Sequence, residues 1–241
     1  MDELIYSGKA KQMWTTTDND VIRVVYMDQA TALNGKKKDQ IAGKGQLNNQ
    51  ISSLIFKFLK ENGIATHFIR KVSATEELVK KVKIIPLEVV TRNIAAGHFS
   101  SRFGIEEGLV FKAPVEETYF KSDELDDPFI NESQISALEI ASVTDLQTMW
   151  QISRKVNKLL TALFKEIDLQ LVDFKLEFGK TNQNEIILAD EFSPDNCRLW
   201  DLKSKKHMDK DVYRRDLGDL TSVYEEVLTR LEKKLGGTSN D

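Results

Sequence analysis

The chain reads as an α+β protein in two parts, and three patterns in its 241 residues predict this. Strand-like runs fill much of the first ninety residues. Apolar stripes at helical spacing begin at Leu47, Leu146 and Leu220. Residues 172–178 alternate apolar and charged side chains as a strand would, and 185–189 return as the second strand of a hairpin.

In chain order, Leu4–Ser7, Lys11–Thr15 and Val21–Met27 read as strands, punctuated by Gly8 and the polar run 17–20. Residues 28–45 are polar and contain glycine, which predicts a loop. Leu47, Ile51, Leu54, Ile55, Phe58 and Leu59 then share one helix face, and Gly63 ends that helix. His67–Val72 and Leu78–Ile85 read as strands, with Pro86 interrupting before Leu87–Thr91. The boundary between the parts is placed there, giving a β-rich part at 1–85 and an α+β part at 86–241. From about Phe111 to Ser142 the chain is acidic and reads as irregular. A long helix at 144–166 carries Leu146, Met149, Trp150, Val156, Leu159, Leu160 and Leu163, with Ile167 just beyond it. The hairpin follows, then a short helix near 209–217. A strongly amphipathic helix comes last, with Leu220, Val223, Tyr224, Val227, Leu228, Leu231 and Leu235 on one face. Residues 236–241 read as a frayed tail.

Composition narrows the function. The net charge of −4, from 34 basic and 38 acidic residues, advertises no polyanion partner, and Lys36-Lys37-Lys38 is too short a run to argue for nucleic acid. No apolar stretch approaches the ~20 residues of a membrane span. The N-terminus lacks the charged and apolar blocks of a secretion signal, so a cytoplasmic location is expected. A single cysteine, Cys197, excludes an internal disulfide and a cysteine-based zinc cluster.

The hairpin carries the chemistry. Val172, Phe174, Leu176 and Phe178 form an apolar face, and Asp173, Lys175 and Glu177 an ionic one. A two-residue turn at 183–184 sets Glu177 opposite Asp190; a turn one residue earlier sets Lys175 there. Both registers keep Asp190 on the ionic face, because slipping by two does not flip a strand. Carboxylates ~5 Å apart at Cβ repel unless a cation lies between them. Magnesium, which favours carboxylate oxygens and phosphates, suits such a pair. A solvated hairpin whose acids pair with lysines fits the same residues equally well.

Other stretches stay open when taken singly. Tyr6-Ser7-Gly8-Lys9-Ala10-Lys11 suits a hairpin covering phosphates, or a plain turn with solvated lysines. Arg92 to His98, with small residues between, suits a backbone wrapping an anion, or a packing corner with Arg92 in an ion pair. Lys210 and Arg214 share a helix face and suit a phosphate, or pairing with Asp209, Asp211 and Asp216. Gly179-Lys180-Thr181 is no P-loop, because position 174 is Phe where a glycine is required.

Taken in order, these stretches resemble one family. Tyr-Ser-Gly-Lys-Ala-Lys at 6–11, Gly-Lys-Gly-Gln-Leu-Asn-Asn at 43–49 and Pro-Leu-Glu-Val-Val-Thr-Arg-Asn-Ile-Ala-Ala-Gly at 86–97 belong to the set. So do Asp-Pro-Phe-Ile-Asn-Glu-Ser at 127–133, Val-Asp-Phe-Lys-Leu-Glu-Phe-Gly at 172–179 and Asp-Glu-Phe-Ser-Pro-Asp at 190–195. Arg-Leu-Trp-Asp at 198–201 and Met-Asp-Lys-Asp at 208–211 complete it. The chain is similar to the SAICAR synthetases over nearly its whole length.

That resemblance implies an ATP-dependent ligase of purine biosynthesis, joining the carboxylate of the ribotide CAIR to the amine of L-aspartate. It implies a two-lobed α+β fold with antiparallel sheets, similar to ATP-grasp and inositol-phosphate kinase folds, with ATP between the lobes. It further implies magnesium, no nucleic-acid or membrane partner, and a homodimer. Gly8, Lys9, Ala10 and Lys11 resemble the triphosphate-binding segment, and Ile84 the backbone contact to adenine. Glu177 and Asp190 resemble the metal ligands and Lys175 a cation beside the transferred phosphoryl group. Arg92, Arg198, Lys210 and Arg214 resemble the residues that grip the ribotide. His98 departs from the family pattern, which has a ribotide-contacting serine there, and the turn at 180–184 is one residue longer than in close relatives.

Overall fold

The computed structural model describes residues 2–32 and 37–236; Met1, Lys36 of the lysine triple and positions 237–241 of the expected tail lie outside them. Strands β1 (Leu4–Ser7), β2 (Lys11–Thr15) and β3 (Val21–Tyr26) run antiparallel in succession. Ile22, Val24 and Tyr26 alternate inward along β3, the period-two signature of a half-buried strand. The segment expected to be a loop instead carries β4 (Gln29–Ala32) and β5 (Lys37–Gln40), a separate two-stranded ribbon. Residues 38–40 of this ribbon are exposed and Ala30 is buried in the core, too little apolar surface to leave a hydrophobic pattern to read.

Helix α1 (Lys44–Glu61) begins on Asp28, whose carboxylate accepts from the backbone N–H groups of Gly43 and Gly45 at 3.1 and 2.9 Å. An anion there satisfies donors the helix cannot satisfy itself. α1 buries Leu47, Ile51, Ile55, Phe56 and Leu59. Strands β6 (Phe68–Lys71) and β7 (Glu76–Lys80) complete the first sheet, in the order β1-β2-β3-β7-β6.

The second sheet starts at β8 (Lys83–Ile94), which passes through Pro86 without breaking. A shift in its pairing with β10 between Glu177 and Phe178 absorbs the proline, whose carbonyl still accepts from Lys121 N–H at 3.0 Å. After α2 (Gly97–Phe103), β9 (Val110–Phe120) occupies most of the first half of the segment read as irregular. Among the described strands its partner is β8, so Pro114 sits on an edge strand, where a missing N–H is tolerated. A 3₁₀ turn (Asp123–Leu125) and α3 (Glu132–Ala137) lead to α4 (Val143–Glu166), capped by reciprocal Ser142–Asp145 hydrogen bonds. Then come β10 (Leu169–Lys180), β11 (Ile186–Ala189), β12 (Cys197–Asp201), α5 (Asp211–Arg214) and α6 (Leu220–Leu235).

β10 is the axis of this sheet. β8 lines one edge of it; along the other, β12 pairs with Leu169–Phe174 and β11 with Glu177–Lys180. Between those partners the chain from 190 to 196 leaves the sheet and opens a space beside Lys175. α1, α4 and α6 cover the opposite, apolar face in one large core with Phe174, Leu176 and Phe178.

Two expectations about the hairpin need correction. Val172 does not join that apolar row: a bulge between Leu171 and Asp173 turns it to the other side, against Ile94, Ala96 and Trp200. Neither expected register forms, because Glu177 stands opposite Ala189 rather than Asp190. The longer turn causes this one-residue slip, with Thr181 N–H bonded to Glu185 O at 2.9 Å and Asn184 left-handed at φ 62°. Extended backbone would then send Asp190 toward the core. Asp190 is itself left-handed, at φ 60°, and β11 ends one residue before it.

A side chain at Gly45 has no room, since a Cβ there lies 2.8 Å from Tyr26 O and 2.9 Å from the Met27 carbonyl carbon. Gly45→Ala is expected to cost about 1–3 kcal/mol, read as a lower urea midpoint at unchanged m-value. An unchanged midpoint would contradict this close packing of α1 on β3.

Candidate active site

The ionic face of β10 is one row of a two-strand array. In register with it, β8 places Arg92 opposite Asp173, Val90 opposite Lys175 and Glu88 opposite Glu177. Asp173 and Glu177 are only 3% and 4% exposed, so each needs cations beside it. Arg92 Nη1 donates to Asp173 Oδ2 at 2.8 Å and Arg198 Nη1 to the same oxygen at 2.9 Å. Lys121, just past β9, pairs with Glu177; Lys175 pairs with Glu88 and lies 3.5 Å from Glu177 Oε1.

The left-handed turn at Asp190 brings its carboxylate to Lys11 of β2, and Lys11 also meets Glu191 at 3.0 Å. Lys11 therefore joins the first sheet to the second. Gly8, Lys9 and Ala10 cover the same opening, with Lys9 reaching Asp123 at 2.7 Å. The result is a cavity of about 450 Å³.

At its far side the charge becomes basic. Arg198 Nε donates to Asp211 Oδ2 at 2.8 Å and Arg214 Nη1 to Asp211 Oδ1 at 2.6 Å. Asp195 gathers Lys44 at 2.7 Å, Lys210 at 3.2 Å and the Tyr224 hydroxyl at 2.7 Å. Gly97 is a requirement of this corner: at φ 54°, any Cβ would lie 2.2 Å from the Arg198 guanidinium.

Of the residues singled out in the sequence, Gly8, Lys9, Ala10, Lys11, Arg92, Lys175, Glu177, Asp190, Arg198, Lys210 and Arg214 line this one cavity. Ile84 and His98 are not among its lining residues. Ile84 pairs with Gly179 on β8 and is 39% exposed; His98 is exposed on α2. The reading from sequence missed Lys121, Glu88 and Asp195. Glu88 was discoverable, because Glu88, Val90 and Arg92 follow period two along a strand. Lys121 was not, since nothing around it marks it as facing a strand fifty residues later.

The fold and this cavity define a two-lobed α+β enzyme built to handle phosphates and carboxylates. The sequence pattern of the SAICAR synthetase family matches residues 4–231, and the chain belongs to that family. It is 61% identical to the phosphoribosylaminoimidazole-succinocarboxamide synthase of Streptococcus mutans, over 96% of this chain and 98% of that one. The crystal structure of the Ehrlichia chaffeensis synthase is 46% identical, with a TM-score of 0.94, over 95% and 98% of the two chains. A SAICAR synthetase solved in complex with ADP is 44% identical, with a TM-score of 0.92, over 96% and 98%.

Opposite charges in the cavity hold one another in their ionised forms. Burial alone would lift the Asp190 carboxyl, but Lys11, Lys121 and Lys175 outweigh it and hold it well below the usual carboxylate range. Burial likewise opposes the charge on Lys175, and Glu177, Glu88 and Asp190 more than compensate, keeping it protonated. Lys210 is lowered by burial, which Asp195 opposes and which Lys44 and Arg214 reinforce.

Behind Lys11, Glu77 is fully buried and accepts from the Tyr26 hydroxyl at 3.1 Å. Burial, opposed by Lys11, pushes its carboxyl up from 4.5 to about 8. Between those values the folded protein keeps a proton that the unfolded chain has lost, so unfolding free energy falls as pH rises. Glu77→Gln is expected to flatten that fall, by at most about 1.4 kcal/mol per pH unit. Urea titrations of both proteins at several pH values check it; identical pH slopes would contradict a protonated Glu77.

Proposed function

We infer that the chain is an ATP-dependent ligase of purine biosynthesis that joins the carboxylate of CAIR to the amine of L-aspartate, giving SAICAR, ADP and phosphate. Membership of the SAICAR synthetase family carries this reading. The cavity supports it chemically, because a cluster of acids and lysines adjoins a cluster of arginines within one opening.

Glu177 and Asp190 suit magnesium: both offer hard oxygen donors to the same cavity, and each already sits against an ammonium group. They would hold the ion, which takes few protein carboxylates beside phosphate oxygens and, when bound, offsets phosphate charge. Gly8 to Lys11 form the proposed triphosphate contact and the Ile84 backbone the proposed adenine contact. Lys175 and Lys121 are the proposed cations for the negative charge that spreads over a transferred phosphoryl group. Arg92, Arg198, Lys210 and Arg214 are the proposed grip on the ribotide. His98, outside the cavity lining, would touch the ribotide only at its rim.

The residues answer a specific difficulty. A carboxylate resists attack by an amine because it already carries negative charge. Transfer of the terminal phosphoryl group of ATP to a carboxylate oxygen of CAIR gives an acyl phosphate and ADP. The aspartate amine then forms the C–N bond, the C–O bond to phosphate breaks, and the amine releases its proton. Arginine forks hold the planar carboxylate in line, and lysines neutralise the moving charge. A cytoplasmic homodimer is the proposed setting; light scattering at twice the chain mass tests the assembly.

Omission of ATP, magnesium, CAIR or aspartate, one at a time, tests the reaction. SAICAR and inorganic phosphate should form only with all four, whereas a phosphorylated product accumulating without aspartate would indicate a kinase. Asp190→Asn should lower kcat roughly 100-fold or more with only a modest fall in urea midpoint, because Lys11 keeps Glu191 as a partner, and full activity would contradict its role. Arg214→Ala should raise KM for CAIR about tenfold or more and leave KM for ATP within about threefold, and equal losses would count against the assignment.

A further inference from the structure

The slip in the hairpin leaves Asp190 dependent on its backbone. With Glu177 opposite Ala189, an extended residue 190 shares the parity of Leu176, a fully buried core residue. Only the left-handed turn at φ 60° sends the carboxylate to Lys11 and the cavity. That conformation costs free energy for a residue with a side chain, though less for Asp and Asn than for most others. The carbonyl meets one side chain, His67, whose Nε2 lies 3.0 Å from it.

His67 is well fixed to do this. Its N–H donates to Leu188 O at 2.8 Å, and its carbonyl accepts from Lys80 N–H at 2.7 Å. Its ring packs edge-on against Phe56, with centroids 5.5 Å apart, and the residue is 5% exposed. It thus ties β7 of the first sheet to Leu188 of β11, two residues before the chain must turn.

We propose that His67 is a positioning residue for Asp190: its Nε2–H donates to the Asp190 carbonyl and holds the left-handed turn that aims the carboxylate into the cavity. A carbonyl only accepts, so the ring carries its proton on Nε2. The proposal rests on the reading of Asp190 as a metal ligand. Outer hydrogen bonds of this kind typically change metal affinity or activity by roughly 10–100-fold when removed.

Three variants and one spectrum test it. His67→Phe keeps a ring but loses the donor; His67→Gln keeps an amide N–H near the Nε2 position. Turnover is measured against magnesium at saturating ATP, and ADP binding is measured by calorimetry with and without magnesium. His67→Phe should raise the half-saturating magnesium concentration roughly tenfold or more and leave metal-free ADP binding unchanged. His67→Gln should restore the wild-type dependence to within about threefold. A packing role would instead lower stability in both variants and leave the magnesium dependence unmoved, which overturns the proposal. Asp190→Asn separates the two readings. If it removes the magnesium dependence and His67→Phe does not, positioning by His67 is wrong. If it leaves that dependence intact, the metal reading falls and the proposal with it. Should His67→Phe not fold, nitrogen-15 NMR of the wild-type imidazole decides: the Nε2–H tautomer supports the proposal and the Nδ1–H tautomer overturns it.

Discussion

Carboxylates buried in the middle of a sheet are the constraint on which the site depends. Asp173 and Glu177 lie on β10 with almost no exposure, and neither survives there as an anion without cations in contact. The fold supplies them from separate elements: Arg92 from β8, Arg198 from β12, Lys121 from beyond β9 and Lys175 from β10 itself. Lys11 does the same for Asp190 from the other sheet. Removing one partner strands a buried charge, which costs far more than the pair contributes to stability. These pairs therefore order the cavity more than they stabilise the chain.

The same arrangement suits one opening to the two kinds of ligand that the proposed reaction needs. Toward β2 the acids and lysines alternate, so phosphates and a divalent ion can replace existing partners without leaving net charge buried. Toward α5 the arginines outnumber free acids, although Asp173 and Asp211 occupy several of their donors. A planar anion entering there takes up the remaining N–H groups of guanidinium forks already held in orientation, which limits the entropy lost on binding. Carboxylate activation needs both halves side by side, and β10 provides both along twelve residues.

Much of this was legible in the residues, for identifiable reasons. Alternation from Asp173 to Phe178 marked the ionic face because a strand has a side-chain period of two, and the stripes of α1, α4 and α6 marked the core. Alternation cannot report a bulge, so Val172 was placed on the wrong side. Nor does it report backbone handedness: Asp190 reaches the cavity from a register that neither expected turn produces. β9 was hidden by Pro114, Glu116 and Glu117, whose charges are matched by arginines remote in sequence, at Arg154 and Arg92. Lys121 reaches Glu177 and Lys44 reaches Asp195 across the fold, contacts that no local pattern encodes. The two-lobed ligase reading came from the ordered set of motifs, not from any one of them.

A crystal structure with ADP and magnesium decides whether the two acids share an ion. One ion should be bound jointly by Glu177 and Asp190, with Lys121 and Lys11 displaced from those carboxylates toward phosphate oxygens. An ion held elsewhere, with both lysine–carboxylate pairs intact, would contradict it.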